Sequence, residues 1–291
     1  MMRHSQLRAF HYVAYLGGFS RAAEFLFLTQ PAISEQVRKL EQDHDVLLFH
    51  RERKRVRLTN EGEQLFRYTK QYFEVEKKIE EYLSATSAVL DGELRIVADS
   101  AHHITFLLGK FCKKYPHVSV TLNTGNTESI LENLRAYNAE IGIVGAVPQG
   151  KDMEILDLGS TEITAFAAND FPLNSKRSIT IKDLSKLPLI FRESGSKTRQ
   201  KLVDEAKKHG INLKPAIVAE GREAVREVVA SGAGIGFVSQ AEYGSDDRFT
   251  KLKLQDVNIQ MSESIVHLTQ RGDVKVIRIF MDFAREMLPR V

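Results

Sequence analysis

The amino-acid sequence predicts an α/β protein built from three successive parts. Apolar residues at helical spacing crowd residues 1–59, a proline-free stretch follows at 60–90, and strand-like and helical patterns alternate over 91–291. A chain of 291 residues is long enough for two hydrophobic cores. We therefore expect a small N-terminal domain at 1–59, a long linker helix at 60–90 and a larger α/β domain at 91–291.

The composition is that of an ordinary globular protein, with 43% hydrophobic and 27% charged residues. No apolar run reaches the roughly 18 to 20 residues that a membrane span requires, and Met1 to Gly18 lacks the pattern of a signal peptide. The single cysteine, Cys112, excludes a disulfide framework and a cysteine-rich metal site, and we expect it in the core beside Phe111. These features predict a cytoplasmic protein without a membrane partner.

Positive charge is concentrated at the N-terminal end. Residues 1–60 carry ten basic and six acidic side chains, whereas the remainder of the chain carries 31 basic and 32 acidic ones. Such an excess suits a surface that binds a polyanion. An ordinary solvated surface gives the same count, so charge alone does not decide between the two.

Three short helices are predicted in the first domain. Gly17-Gly18 ends the first, Ser20 stands where the second needs an N-cap, and Thr29 or Gln30 caps a third that has Pro31 in its first turn. The third helix turns polar residues outward at its N-terminal end, as reading of the DNA major groove requires.

A β-hairpin is predicted after these helices. Asp45 suits a left-handed turn, and Leu47 to Phe49 are expected as a buried strand. Basic residues then alternate with Val56 and Leu58, a period of two that places charge on one face. On its own a basic run indicates a solvated face, but after a helix-turn-helix pattern it favours a wing that contacts phosphates or the minor groove.

These motifs together carry a family resemblance. In order along the chain they are Leu7-x-x-Phe10, Gly18-Phe19-Ser20-x-Ala22-Ala23, Thr29-Gln30-Pro31-Ala32-Ile33-Ser34, Leu40-Glu41, Leu48-Phe49-x-Arg51 and Leu58-Thr59-x-x-Gly62. They closely resemble the LysR-type transcriptional regulators, and one departure is Asp45, where the family usually has glycine. The resemblance implies a winged helix-turn-helix that binds double-stranded promoter DNA as a homodimer or a dimer of dimers, with RNA polymerase as a further candidate partner. The DNA-contacting candidates are Ser20, Thr29, Gln30, Pro31, Ser34, Arg38, Arg51, Arg53 and Arg55.

The linker is predicted to be one long helix. Thr59 is a suitable N-cap, and Gly62 is the only helix-breaking residue between Asn60 and Ala88. Apolar residues keep to one broad side, which either packs on its own chain or pairs with a second subunit. The family resemblance favours pairing, and Asp91-Gly92 marks the domain boundary.

The third part contains two series of alternating strands and helices. They predict two lobes, the first at about 91–163 and 265–291 and the second at about 164–264. Two such lobes resemble the periplasmic-binding-protein-like effector domain of LysR-type regulators, in which a ligand occupies the cleft between them.

Small polar residues and cations at the predicted strand-to-helix junctions are the candidates for effector binding. They are Ser100, Ala101, His102, His103, Asn126, Thr127, Glu193, Ser194, Ser196, Thr198, Arg199, Arg222 and Ser239. Helix N-termini favour anions, so the expected effector is a small carboxylate, phosphate or phosphonate. Asp99-Ser100, Glu193 to Arg199 and Arg222 to Glu227 also resemble regulators of aminoethylphosphonate catabolism, which makes 2-aminoethylphosphonate a specific candidate.

Other chemistry is not predicted. Gly232 to Gly236 follows a helix, the reverse of the order that a nucleotide-binding loop needs, and adjacent His102 and His103 point about 100° apart on a helix, which disfavours a metal site there. We expect no cofactor, no metal and no enzymatic activity. Two other classes remain as alternatives: a solute-binding or enzymatic domain whose N-terminal helices only dimerise, and an architectural DNA-binding protein without an effector.

Overall fold

The computed structural model describes residues 2–50, 56–83, 92–146, 150–173 and 177–288. Contacts divide the chain into two compact units, Met1–Ser87 and Ala88–Val291. None of the helices within the described residues is long and apolar enough to cross a membrane.

The N-terminal unit begins with helices α1 (His4–Leu16), α2 (Phe19–Phe25) and α3 (Gln30–His44). α1 ends at Gly17 in the left-handed conformation, as expected, and the Thr29 hydroxyl caps α3 by accepting from the N–H of Ala32 at 3.4 Å. The predicted N-cap at Ser20 is wrong, because α2 begins at Phe19 with Gly18 in the cap position and Ser20 lies within the first turn. The connection between α1 and α2 is so short that the chain enters the second helix at once.

Strands β1 (Phe49–His50) and β2 (Arg57–Leu58) pair antiparallel, with Phe49 opposite Leu58. Asp45 takes the predicted left-handed conformation, with φ 49° and ψ 48°. The expected buried strand over Leu47 to Phe49 is wrong at its start, since Leu47 is exposed. Oε1 of Glu41 instead accepts from the backbone N–H of Leu48 at 2.8 Å and of Phe49 at 3.3 Å, which satisfies those donors without a strand ladder. The wing candidates Arg51, Arg53 and Arg55 lie outside the described residues.

Helix α4 (Asn60–Leu83) follows, and the Thr59 hydroxyl caps it by accepting from the N–H of Gly62 at 3.0 Å. α4 packs on α1 through Thr69, whose Oγ1 lies 3.0 Å from Nδ1 of the buried His11. The core of the unit, including Phe10, Ile33 and Leu40, lies between the first three helices and the two strands.

The C-terminal unit opens with β3 (Gly92–Ala98), α5 (His102–Lys114), β4 (Val118–Thr124), α6 (Thr127–Arg135) and β5 (Ile141–Val144). β3 pairs parallel with both β4 and β5. The chain later returns through β12 (Gln260–Leu268), the short 3₁₀ helix Thr269–Arg271 and α11 (Lys275–Met287), and β12 pairs antiparallel with β5. One buried apolar cluster joins β3, β4, β5 and β12 to α5 and α11, and a second one packs α6 on β3, β5 and β12. We call this part lobe I.

A 16-residue strand, β6 (Met153–Ala168), continues from lobe I into the second half of the unit. Its first part pairs with β12, and its second part pairs with β10 (Gly236–Ser239) and β11 (Phe249–Leu254). Around this second part lie β7 (Ser178–Ile179), α7 (Ile181–Leu184), β8 (Ile190–Arg192), α8 (Lys197–Lys208), β9 (Ile217–Ala219), α9 (Gly221–Ala230) and α10 (Gln240–Tyr243). They enclose a separate apolar cluster, and we call this part lobe II. β6 and β12 therefore connect the two lobes.

The prediction that Cys112 lies in the core is wrong, because its side chain is exposed. Phe111, its neighbour on α5, is fully buried. Successive residues on an α-helix point about 100° apart, so burial of Phe111 turns Cys112 outward.

Candidate DNA-reading helix and effector cleft

The exposed side of α3 presents a line of polar side chains. Gln30 and Arg38 are exposed and Ser34 is half-buried, and a spacing of four positions aligns the three on one helix face. Nε2 of Gln30 donates to Oγ of Ser34 at 2.9 Å. Pro31 and Thr29 are exposed beside this line, whereas Ser20 is exposed on α2.

Arg38 is already engaged by a carboxylate. Its Nε and Nη2 donate to the two oxygens of Glu35, each at 2.8 Å, and Nη1 reaches Oε1 of Gln42 at 3.3 Å. The hydrogen bonds from Arg38 hold the pKa of Glu35 below its usual value. This pair is solvent-exposed and therefore weak, so a phosphate can replace Glu35 at small cost.

The predicted effector residues fall into two neighbouring groups. The first lines a groove of about 630 Å³ between the N-terminal turns of α6 and α8, and it includes Thr127, Ser194, Ser196 and Arg199. Asn126 closes one side of this groove, because its Nδ2 donates to the Ser194 carbonyl oxygen across the lobes at 3.2 Å. Thr198 is buried in the first turn of α8. We call this feature the α6–α8 groove.

Arg192 at the end of β8 and Glu193 directly after it lie beside the groove, and Arg199 in the first turn of α8 lines it. Nη1 of Arg192 donates to Oδ1 of Asp99 at 2.6 Å, while its Nε and Nη2 donate to Glu193 at 3.2 and 2.7 Å. Glu193 also accepts from the N–H of Gly221 at 3.0 Å, and Arg199 donates to the Arg192 carbonyl oxygen. Asp99 and Arg192 thus tie the end of β3 in lobe I to the end of β8 in lobe II.

The second group lies deeper, at the start of α5. Ser100 is buried, and its Oγ accepts from Nη1 of Arg222 at 2.8 Å. Arg222 also donates through Nη2 to the Glu242 carbonyl oxygen. α5 begins at His102 with Ala101 in the cap position, and the Ser100 side chain lies toward Arg222. Its Oγ still accepts from the N–H of His102 at 3.3 Å.

His103 lies between two buried carboxylates. Its Nε2 is 3.3 Å from Oε1 of Glu242 and 3.5 Å from Oε1 of Glu263. Burial and the neighbouring negative charges of Glu242 and Asp99 raise the pKa of Glu263 to about 9. Burial acts in the same direction on Glu242, but the nearby His103 ring and the charge of Arg222 overcome it and lower its pKa to about 2.

Several buried polar atoms here have no hydrogen-bond partner among the described residues. They are Thr127 Oγ1, Ser196 Oγ, Ser239 Oγ, Ser264 Oγ, Arg222 Nε and His103 Nε2. Buried polar groups in folded proteins are nearly always hydrogen-bonded, so each unpaired one needs water or a ligand. That so many of them lie where the lobes meet identifies the cleft as the polar site of this unit.

Two of the predicted effector residues bring no side chain into the cleft. His102 is exposed on the outer side of α5, and Ala101 contributes only backbone. Four charged residues of the cleft were not among the predicted site residues: Asp99, Arg192, Glu242 and Glu263. The sequence around Glu263 gives no clear signal, because its strand β12 mixes apolar residues with Gln260, Ser262, Ser264 and His267.

Two family models match the chain. Residues 4–63 match "Bacterial regulatory helix-turn-helix protein, lysR family", and residues 87–289 match "LysR substrate binding domain". The chain therefore belongs to the LysR family of DNA-binding transcriptional regulators, with a ligand-binding domain. The predicted winged helix-turn-helix, linker helix and two-lobed effector domain are confirmed as its fold class.

Similar proteins and solved structures agree with this assignment. The chain is 32% identical over 236 residues to the RuBisCO operon transcriptional regulator of Allochromatium vinosum, covering 80% of this chain and 78% of that protein. Full-length CbnR complexed with its target DNA is similar in fold, with a TM-score of 0.68 at 20% identity over 98% of this chain and 99% of that chain. The Synechocystis PCC6803 CcmR regulatory domain in complex with 2-PG has a TM-score of 0.62 at 25% identity, covering 69% of this chain and 99% of that chain. These relatives are named as regulators and not as enzymes.

Proposed function

We propose that this regulator is controlled by a small anion bound in the α6–α8 groove. The observation that carries the proposal is the pair of buried hydroxyls, Thr127 Oγ1 from lobe I and Ser196 Oγ from lobe II, both without a partner among the residues described. Both residues line the groove, so one ligand can accept hydrogen bonds from both lobes at once.

The charge of the groove suits an anion. Thr127 and Ser196 stand at the N-terminal ends of α6 and α8, where free backbone N–H groups and the helix dipole favour negative charge. Lys197, Arg199 and Lys207 line the groove against Glu128 and Asp204, which leaves an excess of one positive charge. A dianionic phosphate or phosphonate gains more from this arrangement than a carboxylate does.

The relatives support the same chemistry. CcmR is in complex with 2-PG, and the relative from Allochromatium vinosum is named for the RuBisCO operon. 2-PG and 2-aminoethylphosphonate are therefore the two specific candidates, the second from the sequence resemblance. Control of carbon-fixation genes is the regulatory role that these names favour.

The proposed switch couples the cleft to DNA. Residues of α3, with Gln30, Ser34 and Arg38 in line, read the major groove of a promoter, and the arginines of the wing contact its backbone. A ligand that contacts both lobes favours a closed arrangement of the lobes, which β6 and β12 connect. In a homodimer this closure then changes how the two chains bend DNA. We place this activity in the cytoplasm, where promoter DNA and RNA polymerase are available to it.

Ligand binding to the full-length chain tests the proposal. The panel contains small carboxylates, phosphates and phosphonates, including 2-PG, 2-aminoethylphosphonate and inorganic phosphate, and is measured by thermal shift and calorimetry. A saturable ligand is expected, with binding at least about tenfold weaker in Ser196→Ala and in Thr127→Val, because each loses one hydrogen bond to a charged group.

Ser231→Ala is the matched control, since Ser231 is exposed at the end of α9 and away from the groove. It is expected to bind like the unaltered chain. Footprinting on the promoter of its own gene, with and without the ligand, then reads out the switch. Equal affinity in all three variants, or identical footprints and bending with bound ligand, would contradict the proposal.

A further inference from the structure

His103, Glu242 and Glu263 bring three ligand-type atoms to one point in the cleft. One imidazole nitrogen and two carboxylate oxygens all lie within 4.8 Å of one another. The side chains of these residues are about nine-tenths buried, with exposures of 9%, 10% and 7%. Nε2 of His103 makes a hydrogen bond with neither carboxylate, so its ring nitrogen is available to a further atom.

The spacing suits a single divalent metal ion. Ligands about 2.0 to 2.1 Å from zinc in a tetrahedron stand roughly 3.3 to 3.4 Å apart. The distances from Nε2 to the two carboxylates, 3.3 and 3.5 Å, agree with two edges of such a tetrahedron. Three protein ligands leave the fourth position open, as in zinc sites that also bind a small molecule.

The charge of the surroundings also calls for a dication. The cleft contains the carboxyl groups of Asp99, Glu193, Glu242 and Glu263 against the guanidinium groups of Arg192 and Arg222. The salt bridges of Arg192 satisfy Asp99 and Glu193, and Arg222 donates to the backbone of Glu242. A divalent ion bound between Glu242 and Glu263 offsets the repulsion between these two buried carboxylates, which are costly when they stand together without a compensating charge.

The three ligands come from different parts of the unit. His103 lies in the first turn of α5 in lobe I, Glu242 in α10 of lobe II, and Glu263 on β12 near its irregularity between Glu263 and Ser264. An ion held by all three therefore links the lobes at a place distinct from the α6–α8 groove. Adjacent histidines on one helix do not predict such a site, because its carboxylates come from more than a hundred residues further along the chain.

We propose that His103, Glu242 and Glu263 form a binding site for one first-row divalent metal ion of the zinc class, which joins the two lobes. One imidazole with two carboxylates fits zinc, cobalt or manganese better than magnesium, which seldom takes a histidine ligand. The open fourth position accepts water or an oxygen atom of a small anion. The metal site does not depend on the effector proposed above.

Metal titration of the full-length chain, after treatment with a chelator, tests this site. Zn²⁺ is titrated by calorimetry and Co²⁺ by its visible absorption, which reports coordination geometry and nitrogen or oxygen ligands. We expect one ion of each per chain and a tetrahedral or five-coordinate Co²⁺ spectrum. Glu263→Gln and His103→Gln are expected to weaken binding by about 100-fold or more, because each removes a direct ligand.

His102→Gln is the matched control, since His102 is the neighbouring exposed histidine, and it is expected to bind metal as the unaltered chain does. Circular dichroism checks that the variants fold. If a variant is misfolded, metal binding by the unaltered chain still tests the proposal. Failure of the unaltered chain to bind Zn²⁺ or Co²⁺ at submillimolar concentration overturns it. Binding that is lost in His102→Gln, or unchanged in both folded ligand variants, overturns it as well.

Discussion

His11 illustrates how one buried residue links stability to pH. It is 7% exposed between α1 and α4, with Nδ1 3.0 Å from Thr69 Oγ1 and its ring centre 4.6 Å from that of Phe73. Burial, with a smaller contribution from the charge of Lys70, lowers its pKa from 6.5 to about 4. Between pH 6.5 and about 4, the folded N-terminal unit therefore keeps His11 neutral, whereas His11 of the unfolded chain takes up a proton.

We predict that the N-terminal unit loses stability as the pH falls. The contribution of neutral His11 is fully present above pH 6.5 and is lost progressively as the pH falls toward about 4, the folded value. The loss is at most about 3 kcal/mol. Hydrogen exchange of the α1 and α4 amides, measured across this pH range, follows it.

His11→Gln is expected to flatten this pH dependence, because glutamine retains a hydrogen-bonding group but does not titrate. His44→Gln is the control, since His44 is exposed at the end of α3. An equal slope in His11→Gln and the unaltered chain would show that other groups cause the acid sensitivity.

Local residues were the most predictable from the sequence. The caps at Thr29 and Thr59 and the left-handed Asp45 depend on chemistry within three or four residues, and all three are confirmed. The predicted N-cap at Ser20 was wrong because Gly18 takes the cap position. The predicted burial of Cys112 was wrong because the rotation of α5 turns it outward when Phe111 is buried. Glu242 and Glu263 were missed because no local pattern reports that α10 and β12, both distant in sequence, bring them to His103.

At the scale of an element, Gly62 has a contact that explains its place in the motif. A Cβ added there overlaps the carbonyl oxygen of Leu48 and comes within 3.0 Å of its carbonyl carbon. That carbonyl accepts from the N–H of Thr59, so it is held against the first turn of α4. The start of α4 thus lies directly on the segment that precedes the wing, and only glycine permits this approach.

We predict opposite effects of the same substitution in two helices. Gly62→Ala is expected to destabilise the N-terminal unit by about 1 to 3 kcal/mol, because backbone must move. Gly109→Ala in α5 is expected to stabilise the C-terminal unit by about 0.5 to 1 kcal/mol, since alanine favours a helix and its Cβ meets nothing within 4 Å. Urea unfolding of both variants measures the difference, and a stabilised Gly62→Ala would contradict the close contact.

At the scale of the whole molecule, α4 carries an apolar stripe that its own unit does not cover. Tyr68, Tyr72, Val75 and Ile79 are 60%, 47%, 54% and 55% exposed. Their spacing of four, three and four residues places them on one side of the helix, away from the buried Thr69. Such a stripe on a long helix is typical of helical pairing, and a second copy of α4 is the partner that the family favours.

We predict that a charge in this stripe separates the subunits. Ile79→Glu places a carboxylate where apolar side chains would meet, so the dissociation constant of the dimer is expected to rise at least about tenfold, or 1.4 kcal/mol. Arg67→Glu is the control, because Arg67 is exposed about 120° around the helix from Ile79. Analytical ultracentrifugation measures the assembly, and DNA titration measures the consequence. Promoter affinity is expected to fall when the dimer dissociates, because a monomer holds one α3 instead of two. An intact Ile79→Glu dimer would mean that α4 is covered by something other than its copy.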